Sequence, residues 1–128
     1  MIAEEIVAYA RSYEGRQYKH NSNLNKIDCS LFTQMVYRKY NIRLGRTVQK
    51  QSLQGTTVEK ACLQKGDLLF FFVDGKHSTN EIAGHVGIYA GEQTMIHCIP
   101  YSNFFITNLN KAHWSKSYLY ARRILEEC

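Results

Sequence analysis

The chain has 128 residues, 45% hydrophobic and 21% charged, with a single proline; this excludes a disordered or low-complexity chain and fits one globular domain spanning residues 1–128. The formal charge is +5, which admits anionic partners, but the basic residues are dispersed beyond short pairs such as Arg122 and Arg123, and no aromatic RNA-binding signature accompanies them, so nucleic acid is not expected. The longest apolar run, Leu68 to Val73, is far shorter than the roughly 20 residues that cross a bilayer, so no membrane span is expected.

At the start, Ile2, Ile6, Ala10 and Tyr13 recur at helical spacing, and Gly15 is placed to end that helix. Glu4 and Glu5 stand where an export signal would carry basic charge before an apolar stretch. No signal peptide is expected, which leaves a protein that stays inside, leaves by another route or has been trimmed. A polar loop, "RQYKHNSNLNKI", delivers the chain to Asp28, a residue type suited to capping a helix. From Cys29 onward Phe32, Met35, Val36 and Tyr40 mark a second helical face, so the thiol falls in the first turn.

"RTVQKQSLQG" reads as a short helix ending near Gly55, and "LQKGD" as a turn into a buried strand, Leu68 to Val73. "HVGIYA", "TMIHCI", "FFITNL" and "YLYARRIL" then read as strands. Helices first and strands afterwards predict an α+β architecture, with N-terminal helices on one face of an antiparallel sheet. Trp114, Tyr118 and Tyr120 are expected to cover that sheet.

The hairpin "HVGIYAGEQTMIHC" carries two histidines. With Ala90, Gly91 and Glu92 as a three-residue loop, Tyr89 faces Gln93 and His85 faces His97. A two-residue loop would shift the register by one and throw the two rings onto opposite faces.

The four cysteines, Cys29, Cys62, Cys98 and Cys128, are widely spaced and read as reduced thiols; no paired C-x-x-C or H-x-x-x-H spacing supports a structural metal. A lone cysteine is ordinarily inert packing. Cys29 differs by its context. The positive end of the helix dipole and a nearby imidazolium are expected to lower its pKa. His85 could take the thiol proton and pass it to a leaving amine, while His97 orients the ring, which is triad logic with cysteine first and histidine later. Cys98 should point to the other sheet face and pack; Cys62 and Cys128 receive no role. His20, His77 and His113 read as solvated, with His20 the one near enough in sequence to Tyr18 to approach a site.

In this order, "DCSLFTQMVY", "LQKGDLLFFF", "GHVGIYAGEQTMIH" and "ARRIL" resemble the NlpC-type cell-wall peptidases, which are papain-like cysteine hydrolases. The resemblance runs from Tyr18 to Leu125 and includes Gln51 followed by Gly55. It implies a papain-like catalytic domain and a peptidase acting without a cofactor on peptide or amide bonds of peptidoglycan stem peptides, through a thioester acyl-enzyme. The expected partner is peptidoglycan or a muropeptide, and the expected state a monomer. Cys29 would be the nucleophile, His85 the base and His97 the polar third member. Tyr18 would line the site, and Asp28 and Ser30 would bind the substrate's free amine. The family's glycine pair after the tyrosine is replaced by "YKHNSNLNKI", and its glycine after cysteine-serine by Leu31. Two other readings stay open: a papain-like acyltransferase, amidase or esterase on another substrate, and a non-catalytic module that holds an anionic cell-wall glycopeptide.

Overall fold

The computed structural model describes residues 2–14, 27–99 and 104–125. The elements run α1 (Ile2–Arg11), α2 (Cys29–Arg38), α3 (Val48–Gln51), β1 (Thr56–Val58), a 3-10 turn (Lys60–Cys62), β2 (Leu68–Phe71), β3 (His85–Gly91), β4 (Thr94–Cys98), β5 (Phe104–Asn108), α4 (Ala112–Ser117) and β6 (Tyr118–Arg123). All strand pairings are antiparallel, in the order β1-β6-β2-β3-β4-β5.

The apolar run "LLFF" is β2, a central strand buried on both faces, which is why it lacks the alternation of a half-exposed strand. Leu68 and Phe70 join the helix-side core with Phe32 and Val36 of α2 and Ile6 and Ala10 of α1. Leu69 and Phe71 face the other way, into a smaller cluster with Tyr89, Met95 and Ala121, against which Trp114 and Tyr118 pack. The strand stops at Phe71, short of the expected Val73, and Val73 is exposed. In α1 the buried face is Ile6, Val7 and Ala10, whereas Ile2 is exposed. Tyr13, beyond the helix end, packs edge-on against Phe32 and Phe104 at 5.6 and 5.3 Å between ring centroids.

The hairpin register corrects the expected one. The turn is two residues, Glu92 and Gln93, both with positive φ, and Gly91 pairs with Thr94. The next pair inward is Tyr89 with Met95, so Ala90 is an extra residue, a β-bulge. His85 and His97 are therefore not directly opposed. The bulge nevertheless restores the parity that a two-residue turn alone would have reversed, and both rings lie on one sheet face as diagonal neighbours.

Trp114 covers the sheet as expected: it belongs to α4, which brings it over the sheet face opposite α1 and α2.

Candidate active site

Asp28 caps α2 as expected, accepting the Leu31 N–H at 2.8 Å. The same oxygen, Oδ1, accepts the Ser30 hydroxyl at 3.1 Å and Arg46 Nη1 at 3.2 Å. Among the described residues Oδ2 takes only Arg46 Nη2, at 3.3 Å, and Arg46 Nη1 also donates to Ser30 Oγ at 3.1 Å. Burial by itself would raise the Asp28 pKa, but the Leu31 N–H, the Arg46 guanidinium and the Ser30 hydroxyl together hold it below the ordinary aspartate value. The acid and serine beside the thiol are thus one cluster with Arg46, a residue the sequence had not singled out.

Gln51 fixes this first turn from below. It is fully buried; its Oε1 accepts from Thr33 Oγ1 at 2.7 Å, and its Nε2 donates to the carbonyls of Ser30 at 2.9 Å and Gly45 at 2.8 Å. One amide therefore joins the start of α2 to the segment that carries Arg46.

On the sheet, His85 Nε2 lies 2.8 Å from His97 Nδ1, and His97 Nε2 lies 2.8 Å from Thr107 Oγ1. Two tautomer assignments satisfy this chain. In the one that leaves His85 Nδ1 free to accept a proton, each ring donates from Nε2, to His97 and to Thr107 in turn. Trp114 covers both rings, with centroids 5.3 Å from His85 and 4.9 Å from His97, and Phe71 backs it at 5.1 Å. Burial holds His85 well below the ordinary histidine value, helped by His97, Lys76 and His113, and lowers His97 to about 4. Both rings are neutral at pH 7. Thr107 was not foreseen and Trp114 was expected only to cover the sheet: a threonine in a strand and a lone tryptophan carry no spacing signal that places them at the site.

Cys29 comes from the other layer. α2 packs on the helix-side face, while the histidines lie on the opposite face, and the two sets meet where β3 begins. Cys29, Asp28, Arg46, Lys76, His85 and Trp114 line one pocket of about 780 Å³. The thiol is buried, at 4% exposure, and shares the pocket with His85 without a hydrogen bond to it. Burial pushes its pKa up, and the Val86 N–H, the Lys76 charge and the Ser30 N–H offset this only in part. The expected lowering is therefore outweighed by desolvation, and Cys29 is a thiol facing neutral imidazole.

Tyr18 and His20 lie outside the described residues, as does Cys128. His77, expected to be solvated, is half-buried at the pocket wall, with its Nε2 2.9 Å from Gln49 Nε2. Cys98 packs in the helix-side core with its thiol 3.8 Å from the Ile27 carbonyl, while Cys62 is exposed. Among the described residues, no group of three or more histidine, cysteine or acidic side chains is placed to hold a metal ion.

Comparison with known proteins agrees with this architecture. A solved NlpC/P60 family protein from Bacillus cereus superposes with a TM-score of 0.82 at 33% identity, over 97% of this chain and 40% of that one. The α+β fold is papain-like, with the helix-start cysteine set against an antiparallel sheet. The NlpC/P60 family model matches residues 15–123, and the chain belongs to that family. Among curated relatives, it is 38% identical to the gamma-DL-glutamyl hydrolase of Bacillus subtilis over 95% of this chain and 30% of the relative. It is 30% identical to the murein DD-endopeptidase/murein LD-carboxypeptidase MepS of Escherichia coli K12, over 97% and 64% respectively. The chain thus spans less than two thirds of either relative's length.

Proposed function

We propose that residues 1–128 form a single catalytic domain, a cysteine peptidase that cleaves peptide or amide bonds in bacterial peptidoglycan stem peptides. The observation that carries this reading is the His85–His97–Thr107 chain, bonded at 2.8 Å in each link and opening into the pocket that holds a helix-start thiol. A buried pair of neutral imidazoles is costly to keep for packing alone, since each ring nitrogen needs a partner. As a proton relay it has a use.

In this reading Cys29 Sγ–H gives its proton to His85 Nδ1 as sulfur attacks the scissile carbonyl. The imidazolium is stabilised by the lone pair of His97 Nδ1, and His97 by Thr107. Backbone N–H groups at the start of α2 stabilise the oxyanion. His85 then protonates the leaving amine, the C–N bond breaks, and a thioester remains. Water, deprotonated by His85, attacks the thioester; the product leaves as a carboxylic acid and the thiol is regenerated. Asp28 and Ser30 bind the free amine of the stem peptide, Oδ2 being the carboxylate oxygen with a single partner among the described residues. By the family resemblance alone, Tyr18 is assigned to substrate binding.

The test is mass spectrometry of a muropeptide digest with wild type and Cys29→Ser in parallel. Wild type should release defined fragments and the variant none. Equal digestion by both would remove Cys29 from the chemistry.

A further inference from the structure

Lys76 sits on the connection between β2 and β3 and lines the pocket of Cys29 and His85. Its Nζ donates to the Gly84 carbonyl at 2.8 Å, immediately before His85. The stem lies against Gly84: a Cβ there would stand 3.1 Å from Lys76 Cδ and 3.2 Å from Val73 Cγ2. Gly84 thus leaves room for the lysine to lie across the start of β3. Arg46, another cation of the same pocket, is already paired with Asp28, whereas no carboxylate among the described residues pairs with Lys76. An ammonium group has three donors, and among the described residues one is used.

This charge is close enough to both reacting groups to act on each: it favours the Cys29 thiolate and disfavours protonation of His85. The second effect opposes catalysis, because the relay must hold an imidazolium beside a lysine as sulfur attacks. A substrate that brings a negative charge to Lys76 removes that penalty.

We propose that Lys76 is a specificity-determining residue that binds a free carboxylate lying a few bonds from the scissile amide of the substrate. The proposal rests on the catalytic reading of Cys29 and His85 above and adds the acidic character of the peptide they act on. Because the carboxylate also offsets the lysine's charge in the transition state, its benefit falls on kcat as well as on KM.

The test compares the tripeptide L-alanyl-γ-D-glutamyl-L-lysine amide, its C-terminus capped, with its glutamyl α-carboxamide, which replaces the one remaining free carboxylate by a neutral group of the same shape. Wild type should favour the acid by about tenfold or more in kcat/KM, the size of one charge-assisted hydrogen bond. In Lys76→Met the ratio should fall to about one, with Lys76→Gln behaving alike and Lys76→Arg keeping most of the preference. No preference in wild type, or a parallel loss on both peptides in the Met and Gln variants, would show that Lys76 only braces the loop and would overturn the proposal. Calorimetric binding of the same two peptides to a Cys29→Ala protein, with and without Lys76→Met, separates the two readings. If wild type cleaves neither peptide but binding favours the acid through Lys76, the hydrolase reading fails and the lysine's role stands; absence of any binding preference overturns the lysine's role directly.

Discussion

His97 makes the stability of this fold depend on pH in a calculable way. It is fully buried, and burial lowers its pKa from 6.5 to about 4. In the unfolded chain the same ring titrates near its ordinary value of about 6.5. Between these values the unfolded state binds a proton that the folded state refuses. The stabilisation is therefore whole above the unfolded value and is lost as pH falls through the window to about 4, at a total of about 3 kcal/mol. His85 is displaced in the same direction and adds to the slope. Urea unfolding at about pH 7 and about pH 4 should be measured for wild type and His97→Gln. Glutamine can accept from His85 and donate to Thr107, so it keeps the hydrogen-bond chain while removing the titrating group. Carboxylates are common to both proteins and cancel. Wild type should lose about 3 kcal/mol more than the variant on acidification. Parallel losses, within about 1 kcal/mol, would refute the claim that a neutral His97 is an obligatory part of the folded relay.

Gln51→Leu should destabilise the protein by about 3 kcal/mol in denaturant unfolding, because three hydrogen bonds vanish and the Ser30 and Gly45 carbonyls lose a buried donor; a cost below about 1 kcal/mol would mean that the site's floor is held otherwise. Trp114→Ala should admit water to the two imidazoles, and since burial is the chief cause of their lowered pKa values, the acid limb of the kcat/KM profile should move up toward the ordinary histidine range. An unmoved acid limb would leave Trp114 a packing residue. Deleting Ala90 should abolish turnover and cooperative folding together, whereas Ala90→Gly, which keeps the residue count, should cost about 1 kcal/mol and retain activity. Activity surviving the deletion would show that the histidines do not depend on the bulge.

The α+β order, the start of α2 at Cys29, the Asp28 cap and the buried β2 strand were legible because each rests on a local rule: helical spacing, a capping side chain, or a continuous apolar run. The elements that were not foreseen, β1, the 3-10 turn and α4, are three, three and six residues long. Segments that short show no periodicity, and neither the 3-10 turn nor α4 has a side-chain cap to announce it. β1 exists because β6 offers it an edge, a fact of tertiary structure. The raised pKa of the thiol is not legible in sequence for a related reason: the helix terminus is visible there, whereas the depth at which the sheet buries Cys29 is not.

The histidine pair shows how a correct face assignment can follow from an incorrect register. Parity along a strand has only two values, so two offsetting single-residue differences, a shorter turn and a bulge, return the same face with a different partner. That His85 and His97 share a side is a matter of parity alone; their hydrogen bond further requires that Nε2 of one meet Nδ1 of the other. A diagonal relation puts the rings at 83° to each other with centroids 5.0 Å apart, edge to face, and that geometry lets a nitrogen of one ring reach a nitrogen of the next and leaves His97 a second nitrogen for Thr107. The bulge at Ala90 is thus part of the site's construction, placed seven residues from one histidine and five from the other, and no inspection of the histidines alone would have found it.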